Sequence, residues 1–492
     1  MTGARPGLGQ LYLGAGAQGP AWAPPEQSVL VLGPPRSGKT SSLVVPTVLA
    51  ADGPVVSTST KPDVLGATLA WRRRRGRCLL FDPSGTVPVP DGVHRLQWSP
   101  VPACARWDDA LLVARALVGA SRPLSEQSAS SGTDHWRERA EALLAPLLHA
   151  AALSGEQLPA VVSWVDRHQA SKALGVLDDS GAVVAADLLA GIAATESREQ
   201  SGIWSTASGV LAGYRSQAAL ASTVDPDFDA AAFCGSYSTL YVCATGRHQA
   251  LVAPMVVGLL TEIRTAAYDA HARALRTGAA VPPAVVLALD EVANIAPVPD
   301  LPSMVSEGGG QGLLTLACLQ DLSQARSRWG PAAEGLLSLF GTTVVLPGIG
   351  DVRTLEALSA LAGEEEVLTR SVTAAAASPR SGLAKELCTR VLETAGRRSL
   401  RSTPVPSTIT TASRRQARLP VDVLGRGRPG MAVVVDERNT MGWVGLTPWF
   451  AHEPWRTMVE GPARLTGRAV EPRTRSSELE RSGAFSGENR AL

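Results

Sequence analysis

The sequence predicts an α/β fold, a mainly parallel sheet with an all-helical domain inserted into it. Three observations carry this. Short apolar, β-rich runs alternate with helical patterns over much of the chain. Those runs are apolar throughout rather than alternating, as in strands buried on both faces. Between Asp82 and Ser238 the alternation stops, and from about Trp107 to Leu220 the periodicity is helical.

In order, the expected strands are SVLVLG (28–33), PVVSTS (54–59), RCLLFD (77–82), STLYVCA (238–244), AVVLALD (284–290), LLTLACL (313–319), TTVVLP (342–347) and MAVVVD (431–436), with GWVGLTPWF (442–450) also ordered. The helical block includes WDDALLVARALVGA and DHWRERAEALLAPLLHAAAL. In the second, Asp134 is the expected N-cap. Trp136, Ala140, Leu143, Leu144, Leu147 and Leu148 form its apolar stripe, and Pro146 is expected to bend it. The domain plan is an N-terminal segment 1–27, a first core part 28–105, the inserted all-α domain 106–230, and a second core part 231–460. Irregular chain is expected after about Asp351, with a basic loop at 370–418, and a disordered tail at 461–492.

The 492 residues exceed one ordinary core. A formal net charge of +1 excludes a globally basic surface, so any nucleic-acid contact is local. Six cysteines, Cys78, Cys104, Cys234, Cys243, Cys318 and Cys388, form no CxxC pair and read as reduced core residues, not a zinc site. No run of about 18 apolar residues stands out, and the N-terminus lacks signal-peptide character. The chain reads as cytoplasmic, with no transmembrane segment.

LGPPRSGKTSS (32–42) fits G-x-x-x-x-G-K-[ST] through Gly33, Gly38, Lys39 and Thr40. A strand precedes it and a helical pattern follows. Gly33, Pro34, Pro35, Arg36, Ser37, Gly38, Lys39, Thr40 and Ser41 are the expected nucleotide-binding residues. Backbone N–H groups and the helix N-terminus face the phosphates. Lys39 would reach the β- and γ-phosphates, and Thr40 would ligate Mg²⁺. Only four lysines occur (Lys39, Lys61, Lys172 and Lys385), so a lysine kept here against the arginine bias is informative.

VVLALDE ends a buried strand with Asp290 and Glu291. Asp290 would hold Mg²⁺ and Glu291 would act as general base toward water. Gln320, directly after the strand 313–319, would contact the γ-phosphate. With Lys39 and Glu291 it completes the expected catalytic set. This pairing favours ATP over GTP. TKPD (60–63) resembles a guanine-reading motif but lies too soon after the phosphate loop, and reads as coincidence.

GPPRSGKTSS, LDEVANI and LACLQDLSQARSRWG together resemble the type IV coupling proteins, the TraG/TraD-like ATPases of conjugation and type IV secretion. LTPWF (446–450) resembles their end-of-domain signature, and Trp136 with its Leu-rich helix resembles their inserted domain. Asp82 and Pro83 match an Asp-Pro after the third strand. Lys61 matches the lysine of a D-P-K-G whose acid is missing here. The likeness spans roughly 28–450. It implies a RecA-like P-loop NTPase core and a homo-hexameric ring. It further implies ATP-driven movement of DNA, or of a relaxosome or protein substrate, toward a membrane-bound secretion channel. Two departures stand out. No transmembrane helix precedes the phosphate loop, which implies recruitment to the inner face of the membrane by another subunit, or a start further upstream. The loop SEGGGQG (306–312) lacks the trans-acting arginine that some members carry, which leaves Arg326 or Arg328 as substitutes.

DNA contact fits best the segment 370–418, which holds ten basic and two acidic side chains and reads equally well as a solvated surface insertion. Arg397, Arg398 and Arg401 are its candidates. Such contacts grip phosphates without reading sequence. Aromatics make up only 4%, so base stacking is poorly supplied and backbone gripping is favoured over base reading; that the DNA is single-stranded is what the resemblance implies. WRRRRGR (71–77) reads instead as a helix C-terminus ended by Gly76. Two other readings remain: an FtsK/HerA-like double-stranded DNA translocase, and an adaptor that recruits substrates with ATP as a switch.

Overall fold

The computed structural model describes residues 9–121, 131–374 and 407–461. Twelve strands form one sheet, in the order β2-β1-β14-β13-β10-β3-β9-β8-β4-β7-β5-β6. These are β1 (Tyr12–Gly16), β2 (Gly19–Trp22), β3 (Val29–Leu32), β4 (Val55–Ser59), β5 (Cys78–Phe81), β6 (Val93–Arg95), β7 (Thr239–Cys243), β8 (Val285–Leu289), β9 (Leu313–Leu319), β10 (Thr342–Val345), β13 (Met431–Val435) and β14 (Met441–Gly445). From β10 to β6 all neighbours are parallel. At the other end β13, β14, β1 and β2 add an antiparallel extension.

All eight apolar runs expected as strands are strands, and LLTLACL matches β9 residue for residue. Two short strands in the segment 1–27 differ from the sequence expectation, because β1 and β2 join the main sheet at its edge. Their Gly-rich runs, YLGAG and GPAW, carry little strand signal.

Alternation within each buried strand splits the core in two. Val29 and Val31 face one cluster with the helix Thr40–Ala50, whereas Leu30 and Leu32 face the other. The second cluster also holds the core of the helical insertion, including Leu117, Leu143, Leu147 and Trp204. Sheet and insertion therefore share one continuous apolar interior.

The inserted helices are Trp107–Ser121, Ser131–Ser154, Leu158–Asp166, Ser171–Asp179, Val183–Ala193, Ser197–Val210, Gln217–Ala221 and Ala230–Cys234. Ser131–Ser154 runs through the middle and is continuous across Pro146. Asp134 lies inside its first turn and is not its N-cap, since the helix begins three residues earlier. The expected stripe is inward: Ala140, Leu143, Leu144, Leu147 and Leu148 are buried, and Trp136 packs on Gly202, where a Cβ would come within 2.4 Å of its ring.

The helix Gln249–Thr277 joins the insertion to the sheet. Although its apolar residues are interrupted by polar ones, it is long and apolar enough to cross a membrane by length and composition, yet 67% of its apolar window is buried within the fold. At Gly258 a Cβ would stand 2.6 Å from the Trp98 ring and 3.4 Å from Leu117 Cδ2, so this helix packs at contact distance on both the first core part and the first inserted helix. The five cysteines among the described residues are unpaired and buried. Cys388 lies outside the described residues.

The chain after Asp351 is more regular than its composition suggests. A helix (Val352–Ala362) leads into β11 (Glu364–Ala374), which pairs antiparallel with β12 (Ser407–Ala417) over their full length. Their sequences, EEEVLTRSVTA and STITTASRRQA, are polar and Thr-rich and contain no apolar run of the kind that marks a buried strand. Arg397, Arg398 and Arg401 lie outside the described residues, as does 462–492.

Candidate active site

The phosphate loop leaves β3 at the carboxyl edge of the sheet, where parallel α/β sheets gather ligands. Gly33 is pinned by its neighbours: its N–H donates to the Leu319 carbonyl at 3.1 Å, and a Cβ would stand 2.8 Å from Leu346 Cβ. Gly38 sits at φ +94°, where a side chain is strained. Arg36 takes a left-handed conformation at φ +63°, which helps turn successive N–H groups toward one side. Pro35 and Arg36 are exposed, and Pro34, Ser37, Thr40 and Ser41 are half-buried.

Lys39 is buried, and its ammonium donates to the carbonyls of Gly33 (2.6 Å) and Pro34 (3.0 Å). The helix Thr40–Ala50 opens with a wide turn, Thr40–Val44, and Ser41 Oγ donates to the Gly38 carbonyl at 3.4 Å.

The two motifs meet. The Thr40 hydroxyl donates to Asp290 Oδ2 at 2.6 Å, across a separation of 250 residues. Asp290 is buried at the end of β8, and burial raises its carboxyl above the usual range, opposed by Thr40 and Lys39. Thr58, fully buried on the neighbouring β4, donates its hydroxyl to the Asp290 backbone carbonyl at 3.0 Å. Its role was missed; the polar STS inside a buried strand was the signal.

Glu291 follows in a left-handed conformation, φ +56° and ψ +48°. Its carboxyl is also raised, first by burial and then by the Asp290 charge, against Lys39 and Asn294. The Asn294 amide donates to Glu291 Oε2 at 3.2 Å. Gln320 stands at the end of β9, which lies between β3 and β8. Its backbone N–H donates to Gln324 Oε1 at 2.9 Å.

The remaining motif residues take other parts. The Asp82 carboxylate accepts from Ser84 N–H (3.0 Å), Ser84 Oγ (2.5 Å) and Val87 N–H (2.6 Å), and so closes the turn after β5. Lys61 is exposed just past β4. The 306–312 loop precedes β9 at the opposite edge of the sheet, and Gly309 is pressed on the Glu26 backbone where no Cβ fits. Arg326 pairs with Asp351 at 2.5 Å. Arg328 donates to the Gly119 (3.4 Å) and Ala120 (2.7 Å) carbonyls at the end of the first inserted helix. Both arginines therefore contact groups of their own chain.

The model of the type IV secretory system conjugative DNA transfer family matches residues 3–385. The chain belongs to this family. No curated protein sequence matches it. Solved structures of the bacterial conjugative coupling protein TrwB are similar in fold at 17% identity. The unbound monoclinic form aligns with a TM-score of 0.61 over 86% of this chain and 85% of that one. The form in complex with ADP and Mg²⁺ gives 0.60 over the same shares. The complex with the GTP analogue GDPNP gives 0.60 over 86% of each chain. The family assignment and the TrwB likeness both agree with the α/β fold.

Proposed function

We propose that the chain is an ATP-hydrolysing motor that moves DNA, single-stranded by preference, toward a type IV secretion channel. One observation carries the reading: the Thr40–Asp290 hydrogen bond, which joins the phosphate loop to the acidic strand end. A hydroxyl and a carboxylate 2.6 Å apart are hard oxygen donors of the kind Mg²⁺ selects, so Thr40 and Asp290 would hold it. An ion held there would supply positive charge that offsets the charge of the phosphates. Gly33 to Ser41 would cradle the phosphates. Lys39, already on the inner side of the loop, would donate to them.

Glu291 is suited to take the proton from the attacking water. Burial beside Asp290 raises its carboxyl, which makes it a better base than an exposed glutamate. Gln320, between the phosphate-loop strand and the acidic strand, would contact the γ-phosphate and report its loss. Family membership supports conjugative DNA transfer as the process. A homo-hexameric ring, a relaxosome or protein cargo, and attachment at the inner face of the membrane through another subunit belong to the same proposal.

DNA-stimulated ATP turnover tests it, with single- and double-stranded DNA compared. Stimulation by single strands that is lost in Glu291→Gln, with nucleotide still bound, is the expected result. Turnover that survives this change removes Glu291 from its role. Preference for double strands points to the FtsK/HerA-like reading.

A further inference from the structure

Asn294 is not part of the phosphate-binding set, yet it touches the proposed base. Glu291 is the N-cap of the short helix Val292–Ile295, and its left-handed backbone fixes where the side chain starts but not where the carboxylate points. Among the described residues, Asn294 supplies the side-chain hydrogen bond to that carboxylate, 3.2 Å from Nδ2 to Oε2. The backbone holds the pair together as well: the N–H groups of Asn294 and Ile295 donate to the Glu291 carbonyl at 2.9 and 3.0 Å.

Asn294 is exposed on a cleft of about 500 Å³. Gln324, which accepts the Gln320 N–H, lines the same cleft, as do Ala120 and Ser121 at the end of the first inserted helix. One cleft thus holds the amide partner of each of two residues proposed to act at the γ-phosphate, Asn294 for Glu291 and Gln324 for Gln320. We propose that Asn294 is a positioning residue, which aims the Glu291 carboxylate for water activation through this hydrogen bond. The inference rests on the base role proposed for Glu291.

The chemistry separates this role from a merely structural one. An amide N–H can donate to a carboxylate, and a carboxylate of the same shape cannot. Asn294→Asp therefore keeps the volume and removes the donor, while Asn294→Ala removes both. Because the side chain is exposed, neither change opens a hole in the core, and melting temperatures should stay near that of the parent.

The experiment is steady-state ATP turnover of the full chain with single-stranded DNA, beside nucleotide binding and thermal melting. Both variants should lose about tenfold in kcat, the worth of one hydrogen bond to a charged group, with KM and nucleotide affinity unchanged. Asn294→Asp should be at least as impaired as Asn294→Ala. An aspartate variant with parental kcat overturns the inference, and so does a loss that appears in KM alone. Glu291→Gln is the reference: if it retains turnover, the base assignment itself fails. If it is inactive while both Asn294 variants keep parental kcat, only the positioning role fails.

Discussion

A lysine and an arginine are buried at opposite edges of the same sheet, and their surroundings differ. Lys39, at the carboxyl edge, stands among the phosphate loop, Thr40 and Asp290, and donates to two carbonyls of its own loop. Arg72, at the amino edge, is completely buried and spends its donors on four fixed acceptors: the carbonyls of Ala51 (2.7 Å), Gly53 (2.8 Å) and Tyr237 (3.2 Å) and the Thr239 hydroxyl (2.6 Å). Burial pulls its guanidinium down to about 10, still charged at neutral pH. Gly76, close by, is pressed on the Tyr237 backbone, which closes the turn. A buried cation held by fixed acceptors of strand ends and turns is a brace. One held beside acids and a turn rich in N–H groups is suited to chemistry.

Substitutions at both edges should separate activity from stability. The largest effect is expected at the active edge. Glu291→Gln should lower kcat by about 10²-fold or more with nucleotide retained, measured by single-turnover kinetics. Lys39→Ala should likewise abolish turnover, with a smaller loss of stability than Arg72→Met, since two carbonyls rather than four acceptors lose their donor. At the brace the order reverses. Arg72→Met leaves three carbonyls and a hydroxyl without their donor, and should cost about 3 kcal/mol or more in denaturant unfolding. The folded fraction should keep its ATP turnover. If Arg72→Met instead loses turnover without loss of stability, the contrast collapses.

A buried acid sharpens the comparison at intermediate scale. Burial raises the Glu262 carboxyl to about 7, although Trp98 Nε1 donates to it at 2.7 Å. Its folded pKa exceeds its unfolded value of about 4.5, so the folded state binds the extra proton between these limits. The stability from this group is present below about pH 4.5 and is lost as pH rises through about 7. Glu262→Gln should flatten that decline, by up to about 2–3 kcal/mol in chemical melts across the window. The smallest effect is expected at the surface. Arg75 and Asp52 pair at 2.6 Å but are about one-third exposed. Arg75→Ala should change stability by no more than about 0.5 kcal/mol.

The sequence made the buried strands legible because each is apolar on both faces and bounded by turn residues. It hid β1, β2, β11 and β12, whose glycine, threonine and arginine content gives no apolar run to detect. The Thr40–Asp290 meeting was legible because each motif has a fixed partner chemistry. Thr58 and Asn294 were not assigned, since a single threonine or asparagine means little until the fold shows what it touches. Arg72 shows the same limit: four consecutive arginines read alike as letters, and only packing selects the one that is buried. Trp136 was placed correctly by periodicity, but periodicity could not show that the insertion and the sheet merge.

That merging carries a consequence for how the molecule comes apart. Helices inserted between β6 and β7 share an interior with strands drawn from both halves of the sheet. Excising them would strip an apolar face from the sheet and leave an apolar face on the excised piece. The two should therefore melt in one cooperative transition, and neither should behave as a portable module.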